Sequence, residues 1–246
     1  MSDLLKHAKV VIIGAGIVGN SVAYHLAKLG WKDMVMIDKG PLPNPGGSTG
    51  HASNFIFPVD HSKVMTQLTL DSMAQYKKLG VFRESGGIEL ARKPERMEEL
   101  KRRMTSAKAW GIDVSLVTPE EVKKLFPWIN TDAIIGGFHS PTVGVVDSLR
   151  AGTMMRDAAK EMGALSVFTH TEITDVDVED GRVIGLQTAK GNISAEYVII
   201  CCGVWSPKIA KMAGASMALT PIVHQMIDVG PISEFEHCTQ EIEYPI

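Results

Sequence analysis

Two rhythms of apolar and polar positions run along this chain. Val10-Val11-Ile12-Ile13 is a continuous β-branched run, the pattern of a strand buried on both faces of a parallel sheet. Ala23, Leu26, Ala27 and Leu29 then recur at helical spacing until Gly30, and Met34-Val35-Met36-Ile37 repeats the buried-strand pattern before Asp38. Further on, helical spacing predicts helices over 62–79, 94–110 and 148–162, closed by Gly80, Gly111 and Gly163. Thr118-Pro119-Glu120-Glu121 is a capping-box start for a short helix that stops before Pro127. Strands are predicted at 86–91 and 134–138. A hairpin rhythm follows, in which Ile173, Val176 and Val178 lead to Asp180-Gly181 and Val183 to Leu186 return. A turn at Lys190-Gly191-Asn192 leads to Ile193, and Tyr197 to Cys202 is a buried strand ending at Gly203, where the backbone can lie against a ligand. Leu219 to Val229 reads as one more strand, carrying His224.

The turn inside the first strand–helix–strand unit is Gly14-Ala15-Gly16-Ile17-Val18-Gly19. Such a G-x-G-x-x-G is informative because it lies between a strand and a helix, with an acid about 20 residues further on. The first glycine permits the tight turn, the second lets backbone approach a pyrophosphate, and the third lets helix and strand pack closely. The helix start supplies N–H groups and partial positive charge to phosphates. Asp38 is placed to accept from ribose hydroxyls and disfavours a 2′-phosphate, since two anions would face each other. These residues leave NAD and FAD open.

After Asp38, residues 39–52 hold three prolines and four glycines besides Ser48, Thr49 and His51, which excludes helix and central strand. Loops at the carboxyl ends of parallel strands are where ligands sit. Ser48, Thr49 and the glycine amides are candidate contacts to phosphate or ribitol oxygens, a plain crossover loop being the alternative.

Composition narrows the class. The 246 residues are 45% hydrophobic and 22% charged, as in ordinary soluble proteins of one or two domains. A net charge of −3 and a pI near 6.2 give no reason to expect nucleic acid. No apolar run approaches the ~20 residues of a membrane span. Three cysteines, two of them adjacent (Cys201, Cys202), cannot build a disulfide framework or a C-x-x-C metal site. They read as buried small residues in a reducing compartment, expected to be the cytoplasm, and no metal site is expected. The charges of 94–110 (Glu95, Arg96, Glu98, Glu99, Lys101, Arg102, Arg103) read as a solvated helix face.

Together these motifs resemble the D-amino-acid-oxidase-like superfamily of FAD flavoenzymes, and within it the dimethylglycine and sarcosine dehydrogenase and oxidase branch. The residues carrying the resemblance run in order along essentially the whole chain. They are Gly14–Gly19 with Asp38, Gly46-Gly47-Ser48-Thr49-Gly50-His51-Ala52, Ala109-Trp110-Gly111-Ile112, Cys201-Cys202-Gly203-Val204-Trp205 and Pro221-Ile222-Val223-His224-Gln225. The resemblance implies FAD rather than NAD. It implies that Gly14, Ala15, Gly16 and Asp38 hold the ADP part, with Gly19 and Lys39 counted beside them. Gly46, Gly47, Ser48 and Thr49 would line the pyrophosphate–ribitol path, and Ile173 would meet the adenine through its backbone. His51 matches a histidine bonded covalently to the flavin, and His224 an active-site histidine beside the substrate.

The fold so implied is α/β, a Rossmann-like FAD domain of the glutathione-reductase type interrupted by an α+β substrate domain. Residues 1–85 and 141–218 are assigned to the FAD-binding domain, and 86–140 with 219–246 to an incomplete substrate-domain portion. Relatives in this branch are longer, so the chain reads as a fragment whose activity requires further C-terminal sequence, the alternative being that another subunit supplies the remaining parts. The expected function is oxidation of the N-methyl C–H bond of a small N-methylated amino acid. Folate through an absent C-terminal domain and an electron-transfer flavoprotein are the implied partners. The alternatives are a non-catalytic regulatory flavoprotein of the same family and an NAD-dependent dehydrogenase.

Overall fold

The structure is a computed structural model that describes residues 4–225, 227, 229–240 and 242–246. Its elements begin with β1 (His7–Ile13), α1 (Ile17–Lys28), β2 (Met34–Ile37), β3 (Phe55–Ile56), α2 (Lys63–Leu79), β4 (Phe82–Glu84), β5 (Gly87–Ala91) and α3 (Pro94–Ala109). The chain continues through β6 (Ser115–Val117), α4 (Pro119–Leu125), β7 (Gly136–Ser140), β8 (Gly144–Val146), α5 (Ser148–Glu161), β9 (Leu165–Phe168), β10 (Ile173–Glu179), β11 (Arg182–Thr188), β12 (Gly191–Ile200) and α6 (Ser206–Met212). Two units result, Met1–Ala52 with Ser148–Gln225, and Ser53–Asp147 with Met226–Ile246.

The first unit is built on a six-stranded sheet in the order β10-β11-β12-β1-β2-β9. β12, β1, β2 and β9 run parallel, while β10, β11 and β12 form an antiparallel meander. The continuous apolar runs of β1 and β2 now have their cause. Val10, Ile12, Met34 and Met36 pack with Ala23 and Ala27 of α1 and Ala159 of α5. The alternate residues Val11, Ile13, Val35 and Ile37 pack with Ile173, Val176, Leu186 and Ile193 of the meander and Ile209 of α6. A strand covered on both faces has no polar side to show.

In the second unit two antiparallel three-stranded sheets form, β3-β8-β4 and β5-β7-β6. Helix α3 lays Leu100 and Ala107 into a core with Phe138, Val59, Ala91, Ile112 and Val114. The expected helix ends are present. Ser62 caps α2 by accepting from Met65 N–H, and Gly80 closes it at φ +68°. At α4, Thr118 accepts from Glu121 N–H (3.2 Å) while the Glu121 carboxylate accepts from Thr118 N–H (2.7 Å).

Four features differ from the sequence pattern. Leu219 to Val229 forms no strand among its described residues (226 and 228 lie outside them), and Ile222 and Val223 are 74% and 93% exposed. Apolar content alone makes no strand, because backbone groups need a ladder partner. Arg96 and Arg103 do not belong to a solvated face. Both donate to Glu89 at 2.6 Å, and the Arg103 side chain is only 14% exposed. The predicted Ile193 and Tyr197–Cys202 segments are one ten-residue strand, β12, which stops at Ile200. It pairs with β11 through Ser194 and with β1 as far as Ile200. Finally, residues 53–85 and 141–147 lie in the second unit, whereas the pattern assigns them to the first, because β3 and β4 both pair with β8.

Candidate dinucleotide-binding site

The ladder between β1 and β2 runs on to Gly14, whose N–H donates to the Ile37 carbonyl (2.8 Å). There the chain turns with φ +105°, a conformation that favours glycine. On the other side Cys201 N–H donates to the Ile13 carbonyl (2.7 Å). A Cβ on Gly14 would lie 2.4 Å from the Cys201 carbonyl oxygen, and one on Gly19 would lie 1.9 Å from the Gly14 carbonyl oxygen. Two of the three motif glycines are therefore required by backbone packing within the protein.

Gly16 is different. It is the cap residue of α1, has no side-chain cap, and is followed by a first turn without acidic residues. The nearest atom to a Cβ built there is Thr49 Oγ1, at 3.1 Å. That hydroxyl accepts from Ile17 N–H (3.0 Å), so the 39–52 loop is tied to the helix start. The Asp38 carboxylate accepts from Ala15 N–H through one oxygen and from Gly40 N–H through the other, both at 2.7 Å. A carboxylate offers about four lone-pair sites, so acceptor capacity remains for hydroxyls. A helix start whose cap residue is glycine, a glycine cradle and an adjacent half-buried carboxylate fit the phosphates and ribose of a dinucleotide.

The loop is shaped by its own contacts. Asn44 Oδ1 accepts from Gly46 N–H (3.1 Å), and a Cβ on Gly50 would meet that same oxygen at 2.6 Å. Ser48–Gly50 form one 3-10 turn, after which His51 N–H donates to the Ser48 carbonyl (3.1 Å). The Lys39 ammonium lies 4.4 Å from the centre of the Trp205 ring, whose edge is 3.7 Å from a Cβ built on Gly47. On the far side of Asp38, Thr171 N–H donates to the Asp38 carbonyl (2.9 Å) and His170 N–H to the Gly40 carbonyl (3.3 Å). These bonds hold the start of β10, with buried Ile173, beside the acid.

The structure thus brings Gly14, Ala15, Gly16, Gly19, Asp38 and Thr49 together at one helix start; Lys39, Gly46, Gly47 and Ser48 lie on the loop that Thr49 ties to it, and Ile173 follows the segment bonded to Asp38. His51 ends the loop and is exposed. His224 is exposed, in a stretch without helix or strand among the described residues, and it does not stand on the apolar strand that the sequence pattern suggests.

Two supporting residues escape the sequence reading. Asn20, 3% exposed, donates from Nδ2 to the Ala15 carbonyl (2.9 Å). Ser148, at the start of α5, donates its hydroxyl to the Thr49 carbonyl (2.7 Å). Asn20 carries a readable signal, an amide on the face of α1 that the apolar residues bury. Ser148 carries none, since its partner is 99 residues away.

The adjacent thiols are inert by environment. Burial pushes the Cys201 thiol up, and burial with the neighbouring Cys201 and Asp38 pushes Cys202 up to about 11. Both shifts move these thiols away from the thiolate form on which reactivity depends.

The family described as FAD dependent oxidoreductase (DAO) matches residues 9–246. Human mitochondrial dimethylglycine dehydrogenase is 30% identical over 242 residues, covering 96% of this chain and 28% of that protein. The mouse mitochondrial pyruvate dehydrogenase phosphatase regulatory subunit is 32% identical over 210 residues, covering 82% of this chain and 24% of its own length. The crystal structure of L-proline dehydrogenase from P. horikoshii superposes with a TM-score of 0.79 at 28% identity, over 86% of this chain and 57% of that one. The chain spans about a quarter of the length of these two curated relatives.

Proposed function

The chain belongs to the FAD-dependent oxidoreductase family, and from that premise we propose that it is the nucleotide-binding part of an enzyme oxidising a small N-methylated amino acid, of the dimethylglycine or sarcosine type. One observation carries the reading: a helix start whose cap residue is a glycine with no side chain of its own and a half-buried carboxylate share a single glycine turn. That donor and acceptor set suits an ADP group, and family membership selects FAD over NAD. The similarity to human dimethylglycine dehydrogenase supports the substrate class.

The residues divide the work. The start of α1 at Gly16 binds the phosphates, and Asp38 accepts from ribose hydroxyls. Gly14, Ala15, Gly19 and Lys39 shape this end, and the backbone at Ile173 flanks the adenine. Gly46, Gly47, Ser48 and Thr49 follow the pyrophosphate–ribitol path, and His51 is the point of covalent attachment. FAD, when bound, supplies a two-electron acceptor for the substrate C–H bond. His224 takes the proton of the substrate amine, leaving the nitrogen lone pair free to assist C–H cleavage. An electron-transfer flavoprotein as oxidant and a folate-binding segment outside this chain complete the proposal. Among the described residues no helix is long and apolar enough to cross a membrane. Three free thiols support a reducing compartment, for which we propose the cytoplasm, although the human relative is by name mitochondrial.

The test is the mass of the tryptic peptide spanning 40–63 from the protein at its natural length. A flavin-sized adduct on His51 is expected, and His51→Ala should leave FAD removable by denaturation. An unmodified peptide from a yellow protein, or an adduct that survives His51→Ala, overturns the attachment. The identity to the mouse regulatory subunit favours a second reading, a non-catalytic flavoprotein. Anaerobic bleaching of the flavin by dimethylglycine or sarcosine distinguishes the two, since a regulatory protein would stay yellow.

A further inference from the structure

In the second unit, three metal-ligating side chains of different chemistry meet at one turn. Donor atoms of His237, Cys238 and Glu243 all lie within 4.8 Å of one another. His237 Nε2 is 3.9 Å from Cys238 Sγ. Tetrahedral zinc, with bonds of about 2.0–2.3 Å, sets its ligand atoms about 3.3–3.8 Å apart. The cluster therefore needs a contraction of about an ångström at its widest to enclose a cation.

Local structure explains why the three converge. His237 and Cys238 follow the 3-10 turn at Ser233–Phe235, where Cys238 N–H donates to the Phe235 carbonyl (2.9 Å). Thr239 N–H donates to the Glu243 carboxylate (3.1 Å), which holds that carboxylate beside the His237–Cys238 pair. The imidazole is oriented from two sides. It stacks on Trp128 with ring planes at 27°, and its Nε2 lies 2.9 Å from the Tyr244 hydroxyl. Trp128, Phe235 and Tyr244 contact one another edge-on or tilted and form an aromatic wall behind it. The stack fixes the plane of the imidazole, whereas the Tyr244 contact is made by Nε2 itself and is exchanged for the cation when that nitrogen ligates.

We propose that His237, Cys238 and Glu243 bind one zinc-class divalent cation, with water completing a four-coordinate site that ties Glu243 to the His237–Cys238 pair. Imidazole and thiolate select zinc over magnesium and calcium, which require oxygen ligands. A thiolate and a carboxylate together balance the charge of a divalent ion. Sequence spacing conceals the site because two ligands are adjacent and the third comes from the return of the turn, unlike the paired C-x-x-C arrangement.

Cobalt(II) is the probe, titrated into the reduced, metal-free chain. One equivalent should bind with thiolate charge-transfer absorption and the visible bands of a tetrahedral site, and one equivalent of zinc should displace it. Cys238→Ser should abolish the charge-transfer band, and Glu243→Gln should weaken binding more than about tenfold, since even outer-shell partners are worth 10–100-fold. The Cys201→Ser/Cys202→Ser double variant should keep the full spectrum. Should Cys238→Ser not fold, His237→Gln and Glu243→Gln carry the same test. A charge-transfer band that survives Cys238→Ser, an affinity unchanged by His237→Gln or Glu243→Gln, bands lost in the double variant, or no binding below millimolar cobalt would overturn the site.

Discussion

A methyl group at Gly14 meets two obstacles: the Cys201 carbonyl oxygen at 2.4 Å and a φ of +105°. Gly14→Ala is expected to lose at least the ~1–3 kcal/mol that such backbone strain costs and to bind less FAD. Denaturant unfolding and bound flavin per chain check both, and a variant as stable as the parent would sink the packing argument. His139, half-buried in β7, makes a separate pH-dependent contribution. Burial lowers its pKa, partly opposed by Asp113. The folded state therefore holds its proton less tightly than the unfolded chain, whose histidine titrates near about 6.5. The contribution is full above that pH and is lost as pH falls through the unfolded value toward the lower folded one. His139→Gln should flatten that part of the stability profile, measured as Tm between pH 8 and 5; an unchanged pH dependence would count against it.

Helices were legible where their ends carry chemistry. The capping box at Thr118–Glu121 opens α4, and αL glycines follow α2 and α3 at Gly80 and Gly111. Thr118→Ala should cost about 0.5–2 kcal/mol, measured by urea unfolding, because it leaves Glu121 N–H without its hydroxyl acceptor. Little change would mean that water replaces the cap without loss. The strands of two or three residues, β3, β4, β6 and β8, escaped the pattern because they are too short to display a period of two. The ion pairs of Glu89 with Arg96 and Arg103 escaped it for another reason. One partner stands on a strand and the others on α3, and helix charges alone do not show which face meets a sheet.

At the scale of the molecule, each unit is assembled from two separated stretches of chain. In the first, His7 of β1 pairs with Ser194 of β12, so the central ladder joins segments that lie far apart in sequence. The parallel sheet, the glycine turn and the acid after β2 were legible because each is written within a short span: a buried-strand pattern, a turn motif, a helix rhythm. So was the loop at 39–52, whose prolines and glycines exclude regular structure. The same local signals placed a strand over Leu219 to Val229, but strand formation is a property of two segments, and the partner is not written in one of them. Sequence alone therefore determined the longer helices and the buried strands of the first unit, and the glycine turn with the acid that follows it. Tertiary structure decided that Cys201 closes over Gly14, that Ser148 and Asn20 brace the turn, and that His237, Cys238 and Glu243 meet beside Trp128. The division follows from range: propensity, capping and turn chemistry act over a few residues, whereas excluded volume and hydrogen-bond pairing act between whichever segments the fold brings together.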